Sequence, residues 1–311
     1  MNTPVRPGSG GFVETVRVPT AAPLAVSVVM VVYRTGPALP GALQKVLDCR
    51  EVDELVVVDN GSTPEEAAAL DAAAARDGRV QVLRGQGNVG FARGANLGAS
   101  AARGSLLVFL NPDAFLQPGC IAALQAAIDP QRSPCLVGAR VMNTDGTEQR
   151  GARRGEVTPM STFLSLTNLA GKVRVFRGFE IHREAEPEPD GPTPVPTVSG
   201  ACFAMTRTDF GAVRGFDEGF FLHVEDIDLC WRVRRSGGVV LFQPAARVEH
   251  LGSTAAKAPL FIEINKGFGL ARYFRKRAET GFDRLTAWLL LPAILLVSVA
   301  RAGLRGRSRR G

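Results

Sequence analysis

The sequence predicts an α/β protein built on a doubly wound sheet. Apolar, β-branched runs alternate with helical patterns from residue 25 to about 142. The runs are apolar throughout rather than at every second position, as in strands covered on both faces. Two of them end in acids, at the strand ends where the ligand crevice of such sheets lies. The chain has 311 residues, 45% hydrophobic and 22% charged, which suits one large or two ordinary domains. That composition excludes a disordered, collagen-like or repeat-built protein.

Residues 25–33 (AVSVVMVVY) read as the first strand and residues 37–47 as a helix. Residues 54–59 (ELVVVD) are a second buried strand closing on Asp59. Thr63, Pro64, Glu65 and Glu66 then open an Ala-rich helix to about Arg76: a hydroxyl N-cap, proline at the first position and acids in the first turn. Residues 79–83 are a third strand, followed by a glycine-rich turn and a helix over 90–102. Residues 105–110 (SLLVFL) are a fourth strand that runs into Asn111, Pro112 and Asp113; a helix over 118–128 and a strand over 135–142 follow.

After residue 150 the alternation stops. Residues 174–196 are rich in Pro and Glu and are expected to be mobile or irregular, making about 150–197 an insertion. A strand over 198–206, a helix over 225–235 and a short strand over 239–242 restore regularity. Residues 1–24 are Pro/Gly/Thr-rich without an apolar core, and are expected to form a loose arm and not a secretory leader.

Charge is uneven. Residues 272–310 hold ten Lys/Arg and two acids, a net +8, so residues 1–271 sum to −1. A near-neutral body argues against a nucleic-acid partner, and the basic segment calls for an anionic surface. Within it, Arg284 and Arg301 bracket a 16-residue apolar stretch with Trp288 and Pro292. As a helix this spans ~24 Å, against ~30 Å of bilayer hydrocarbon. A helix lying in the interface of an anionic membrane is expected. A tilted spanning helix, or one docked on the body or on a second subunit of a homo-oligomer, are the alternatives. Five scattered cysteines with no CxxC suit reduced, buried thiols of a cytoplasmic protein.

Three clusters can do chemistry. Gly85 to Gly90 reads GxGxxG after a strand and before a helix, with Asp113 further on. A dinucleotide oxidoreductase would show this fingerprint after its first strand, whereas two strand–helix units precede it here. A turn whose N–H groups approach a phosphate or nucleotide remains. The second cluster, residues 223–232 (HVEDIDLCWR), puts Glu225 and Asp226 at a helix start, where carboxylates stay ionised and can act as general base, and pairs Asp228 with Arg232 one turn apart. The third is His250, which with Asp113 and phosphate oxygens would make a site for Mg²⁺ or Mn²⁺.

In this order, residues 56–62 (VVVDNGS), 87–96 (GNVGFARGAN), 110–113 (LNPD), 199–204 (SGACFA), 215–221 (GFDEGFF), 225–232 (EDIDLCWR) and 250–253 (HLGS) resemble glycosyltransferase family 2 enzymes of the GT-A fold, closest to bacterial rhamnosyltransferases of cell-surface polysaccharide synthesis. The resemblance implies a Rossmann-like nucleotide-sugar-binding domain over 25–255 and a helical, membrane-associating segment over 256–311. It implies that Asp59 meets the nucleobase, that Asn60, Asn88, Gly90, Asn96 and Asn111 line the nucleotide-sugar site, and that Asp113, last in the DxD metal motif, and His250 hold the divalent cation. Asp226, with Glu225 beside it, would be the base of a single, inverting displacement. Asn111 stands in place of the first acid of DxD, and Asn60 in place of a second Asp of the wider family. The implied reaction moves L-rhamnose from dTDP-L-rhamnose to a glycan or polyprenyl-diphosphate-linked acceptor at the inner face of the plasma membrane. The alternatives are another nucleotide-sugar donor, or an inactive nucleotide-binding or membrane-scaffold protein. This reading requires Asp59, Asp113 and Asp226 to converge on one crevice.

Overall fold

A computed structural model describes residues 25–252 and 259–308, with side chains over 25–252 and 260–300. The expected N-terminal arm, Ser253 and the arginines from Arg301 onward therefore lie outside the described side chains. The chain begins β1 (Val26–Val32), α1 (Ala38–Leu47), β2 (Glu54–Asp59), α2 (Pro64–Arg76), β3 (Val80–Leu83), α3 (Phe91–Ala101) and β4 (Leu106–Leu110). It continues through β5 (Ala114–Leu116), α4 (Cys120–Ala126), β6 (Cys135–Met142), β7 (Arg153–Arg154), α5 (Pro159–Leu166) and α6 (Leu169–Lys172). Then come β8 (Thr193–Pro194), β9 (Thr197–Val198), β10 (Cys202–Thr206), α7 (Arg207–Ala212), α8 (Glu225–Arg235), β11 (Val239–His250), α9 (Pro259–Arg277) and α10 (Gly281–Ser308).

The main sheet runs β3-β2-β1-β4-β10-β6-β11-β5, with β8 added against β11. β1 to β4 are parallel, as expected of a doubly wound half. The sheet as a whole is mixed, because β10 runs antiparallel between β4 and β6 and β5 runs antiparallel to β11. A run buried on both faces reads the same in either direction, so apolar periodicity carries no sign of this reversal. Apolar clusters fill both faces of the sheet. The expected start of α2 holds: Thr63 caps it and Glu66 returns the bond to the Thr63 N–H.

Two strands differ from expectation. The segment 198–206 is split into β9 and β10, with Gly200 in the gap. The last strand extends to twelve residues and carries His250 at its end, and an irregularity between Gln243 and Arg247 absorbs Pro244. The insertion is irregular but pinned. β7 pairs β9, β8 pairs β11, and the buried Arg153 guanidinium bonds Glu148 at 2.8 Å and the carbonyls of Glu186 and Pro187.

The C-terminal helices are part of the body. Asp217 accepts from Arg272 and Lys276 of α9, and Lys276 also reaches the fully buried Asp228 at 2.5 Å. Arg232 holds the other Asp228 oxygen at 2.7 Å, the pair expected from spacing. α10 lies against α5 and α9, burying Ala287, Ile294 and Ser298. Its other side leaves Phe282, Leu285, Trp288, Leu289 and Leu296 exposed. The stretch Gly281–Ala300 is long and apolar enough to cross a membrane by length and composition. In this arrangement it is docked along the protein.

Candidate active site

A crevice of about 260 Å³ opens at the carboxyl ends of the parallel strands. Tyr33 and Thr35 reach it from the turn after β1, Asn60 from β2, Asn88 and Gly90 from the turn before α3, and Asn111 and Asp113 from the turn after β4. Gly90 has φ +82, and a Cβ there would stand 2.6 Å from the Phe221 carbonyl oxygen. Only glycine lets this turn close on the 215–221 loop, where the Phe91 N–H bonds the same carbonyl at 2.9 Å. Asn60 Nδ2 donates to the Gly90 carbonyl at 2.9 Å. Its Oδ1 is buried without a hydrogen-bond partner, as is Thr35 Oγ1. An orphaned buried acceptor costs about 1–3 kcal/mol, so a ligand N–H that met it would be favoured.

Asp113 and His250 face each other in the same crevice, with Asp113 Oδ1 3.1 Å from His250 Nε2. Asn111 Nδ2 stands 3.3 Å from that nitrogen, and Gln149 Oε1 2.7 Å from His250 Nδ1. When Nδ1–H donates to Gln149, the Nε2 lone pair points at a carboxylate oxygen. Two acceptors so placed call for a positive charge between them, a proton or a metal cation. One carboxylate and one imidazole fit a divalent ion completed by diphosphate oxygens, and the imidazole favours Mn²⁺ over Mg²⁺. Among the described residues no group of three or more His, Cys, Asp or Glu converges as a metal cage.

Asp226 lines a second cavity next door, of about 360 Å³, and Glu225 lines neither. His223 lines both. Asp226 Oδ2 accepts from Arg154 at 3.0 Å and from the Gly200 N–H at 3.2 Å, so the gap between β9 and β10 orients it. Glu225 is buried and its Oε2 has no partner. Burial, reinforced by the Asp226 charge, pushes its carboxyl up to about 8. Helix α8 is entered through two left-handed residues, His223 at φ +67 and Val224 at φ +75. A β-branched residue there is strained by roughly 1–3 kcal/mol. Gly269 of α9 holds it in place, since a Cβ at that position would meet Val224 at 2.9 Å and the His223 carbonyl at 3.0 Å.

Most sequence-predicted residues reach these cavities, and three do not: Glu225 is buried beside Asp226, and Asp59 and Asn96 are engaged elsewhere. Asp59 lines neither: its carboxylate takes the N–H groups of Gly61 and Ser62 and the Arg84 guanidinium. Burial would push its carboxyl up, but the Ser62, Gly61 and Arg84 bonds outweigh it and hold it low. Asn96 bonds the Phe216 carbonyl and N–H at 2.9 Å each, fastening the 215–221 loop to α3. The three acids thus stand around two adjoining cavities and a strand end, not one crevice. Sequence reasoning missed Tyr33, Thr35, Gln149, Arg154 and His223, and Ile262 of α9, which also lines the crevice. His223 lies in a segment already singled out, but Gln149 and Arg154 carry no local signal.

A sheet with a nucleotide-sized crevice at its parallel strand ends, an acid and imidazole within it, and a helix-start acid pair beside it has the GT-A arrangement of a glycosyltransferase. The model of the family described as "Glycosyl transferase family 2" matches residues 27–212, and the chain belongs to that family. Over 242 residues it is 29% identical to an N-acetylglucosaminyl-diphospho-decaprenol L-rhamnosyltransferase of Mycobacterium tuberculosis, covering 72% of this chain and 75% of that one. The low-salt glycan biosynthesis hexosyltransferase Agl10 of Haloferax volcanii is 27% identical over 189 residues, 59% of this chain and 54% of its own length. Among solved structures, GalNAc-T7 with UDP, GalNAc and Mn²⁺ superposes with TM-score 0.59 at 20% identity, covering 83% of this chain and about half (52%) of that one. The mannosyltransferase PcManGT of Pyrobaculum calidifontis, with GDP-Man and Mn²⁺, superposes with TM-score 0.57 at 17% identity, covering 93% and 76%.

Proposed function

We propose that the protein is an inverting, cation-dependent rhamnosyltransferase of cell-envelope polysaccharide synthesis. It moves L-rhamnose from dTDP-L-rhamnose to a glycan or polyprenyl-diphosphate-linked acceptor at the cytoplasmic face of the bacterial plasma membrane. The carrying observation is the division of labour between the two cavities: Asp113 and His250 in one, Asp226 in the other, with His223 in the shared wall.

In this reading the crevice holds the nucleotide-sugar. The orphaned Asn60 Oδ1 and Thr35 Oγ1 suit the imide N–H of a pyrimidine. Asp113 and His250 hold the cation, which when bound neutralises charge growing on the leaving diphosphate. Asp226 takes the proton from the acceptor hydroxyl as its oxygen bonds the anomeric carbon. The bond from that carbon to the diphosphate oxygen breaks, its electron pair leaving with the nucleoside diphosphate. One displacement inverts the centre. The outward apolar side of α10 supports lying on a membrane surface.

The test is a panel of nucleotide-sugars, measured for binding with Mn²⁺ or EDTA and for transfer. Cation-dependent binding of dTDP-L-rhamnose above the other donors is expected. Preference for a different donor removes the rhamnosyl assignment, and no binding of any nucleotide-sugar removes the transferase assignment.

A further inference from the structure

The insertion between β7 and β8 carries a surface that neither cavity uses. Residues 157–179 contain Lys172, Arg174 and Arg177 and no acid. A short 3₁₀ helix, Arg174–Phe179, follows α6. Side chains three apart eclipse in such a helix, so Arg174 and Arg177 stand one above the other. Both are exposed, as is Lys172, and among the described residues none of the three pairs with a carboxylate. The nearest acid in the chain, Glu180, already accepts from the His182 N–H at 3.1 Å and from Ser165 Oγ at 3.4 Å. Stacked like charges without a counter-ion repel, and an anion brought to them relieves the repulsion. Apolar side chains alternate with the cations and also point outward: Val173, Val175 at 76% and Phe179 at 43% exposed. A solvated charge run has no need of exposed valine and phenylalanine, and an apolar docking patch has no need of unpaired cations. The combination suits a lipid interface, where apolar tips enter the acyl boundary and cations meet headgroups. The patch is also linked to α10, because α5 packs against α6, the 3₁₀ helix and α10.

We propose that residues 172–179 are a second membrane contact, one that selects a negatively charged bilayer. Lys172, Arg174 and Arg177 meet the phosphates of anionic lipids, and Val175 and Phe179 enter beneath them. The exposed large residues of α10 are apolar and suit any bilayer, so the insertion supplies the choice among bilayers. It also supplies orientation. A single helix lying on a surface leaves the body free to roll about the helix axis, and a second contact stops the roll. Both contacts lie on elements that wall the Asp226 cavity or pack on such an element: Thr162, Ser165 and Leu166 line it from α5, and Ser298 from α10. The orientation rests on the reading that α10 lies on a membrane; the charge selection does not.

The test is flotation of the full chain with vesicles of phosphatidylcholine, alone or mixed with phosphatidylglycerol. Lys172→Gln/Arg174→Gln/Arg177→Gln is expected to lose at least about tenfold in affinity for the mixed vesicles and nothing for phosphatidylcholine alone. Val175→Ser/Phe179→Ser is expected to lose about tenfold on the mixed vesicles. Lys45→Gln/Arg50→Gln/Arg76→Gln removes the same charge from exposed positions of α1, the turn after it and α2, on the other face of the sheet, and should bind as wild type does. So should Arg174→Lys/Arg177→Lys, which keeps the charge. All variants are expected to melt with wild type and to bind dTDP in Mn²⁺ equally well. Wild-type affinity of the Lys172/Arg174/Arg177 variant for mixed vesicles, or an equal loss in the Lys45/Arg50/Arg76 variant, would overturn the proposal. Binding of soluble polyglutamate as tightly as the mixed vesicles would overturn it too, by making the partner an acidic protein. A Trp288→Ser/Leu296→Ser variant separates the two readings: if it binds as wild type while the Lys172/Arg174/Arg177 variant does not, α10 loses its membrane role and the charge selection stands.

Discussion

Asp113 and His250 lie 137 positions apart in the chain and meet at 3.1 Å, because the turn after β4 and the end of β11 are brought together by the antiparallel pairing of β5 with β11. The imidazole is turned toward the acid by Gln149, 2.7 Å from its other nitrogen. Residues that orient a metal-binding imidazole commonly matter about 10–100-fold to metal affinity. Gln149→Ala is therefore expected to raise the Mn²⁺ concentration needed for half-maximal nucleotide binding by that factor. Asp113→Asn is expected to leave nucleotide binding the same in Mn²⁺ and in EDTA. Calorimetry with dTDP reads both.

Asp226→Asn keeps the size of the side chain and its acceptor for Arg154, but removes the base. Transfer is expected to fall about 10²–10⁴-fold, with donor binding retained. A near wild-type rate in a radiolabelled-sugar assay would remove Asp226 from the reaction.

Glu225 gives a pH signature. Between pH 4.5 and about 8 the folded chain holds a proton on this carboxyl that the unfolded chain releases. The folded state gains from this at low pH and loses the gain as pH rises through 8. Glu225→Gln keeps the hydrogen and cannot ionise. Its melting temperature should match wild type near pH 4, before the unfolded carboxyl ionises, and exceed it by several degrees near pH 9, measured by scanning calorimetry.

Much of this was legible from residues alone. The apolar runs at 54–59 and 135–142 appear as strands with the expected bounds, and Thr63 with Glu66 marked a helix start that the structure contains. What stayed hidden was set by distant partners. β5, β7, β8 and β9 have two or three residues each, too short for any period, and exist because a neighbouring strand offers its edge. Asn96 looked like a pocket residue because its motif does, yet its amide matches the peptide group of Phe216, 120 positions away. The Arg154–Asp226 pair joins the insertion to a helix 72 positions on, and neither segment announces the other.

Gly90→Ala places a side chain where φ is +82 and an oxygen lies 2.6 Å away. Strain in the left-handed region alone costs about 1–2 kcal/mol, and the clash adds to it. The variant should melt several degrees lower and lose nucleotide binding, while Gly78→Ala, which meets nothing within 4 Å, should not.

For the membrane, substitutions on the outer side of α10 are more telling than removal of the helix, which would uncover the surface that Ala287 and Ile294 occupy. Trp288→Ser with Leu296→Ser should leave melting unchanged and reduce sedimentation with anionic vesicles at least about tenfold, since each large apolar side chain gains about 1.5–3 kcal/mol on burial. Unchanged sedimentation would remove α10 from membrane contact.

Ile262 of α9 borders one cavity while Lys266 and Leu270 border the other, so both share one roof. Swapping parts between relatives is thereby constrained. A chimaera joined near residue 255 would import a foreign roof over both compartments and part Lys276 from Asp217 and Asp228. A junction beyond Arg277, where α9 ends, would exchange the outer helix and leave the roof with the scaffold it was shaped for.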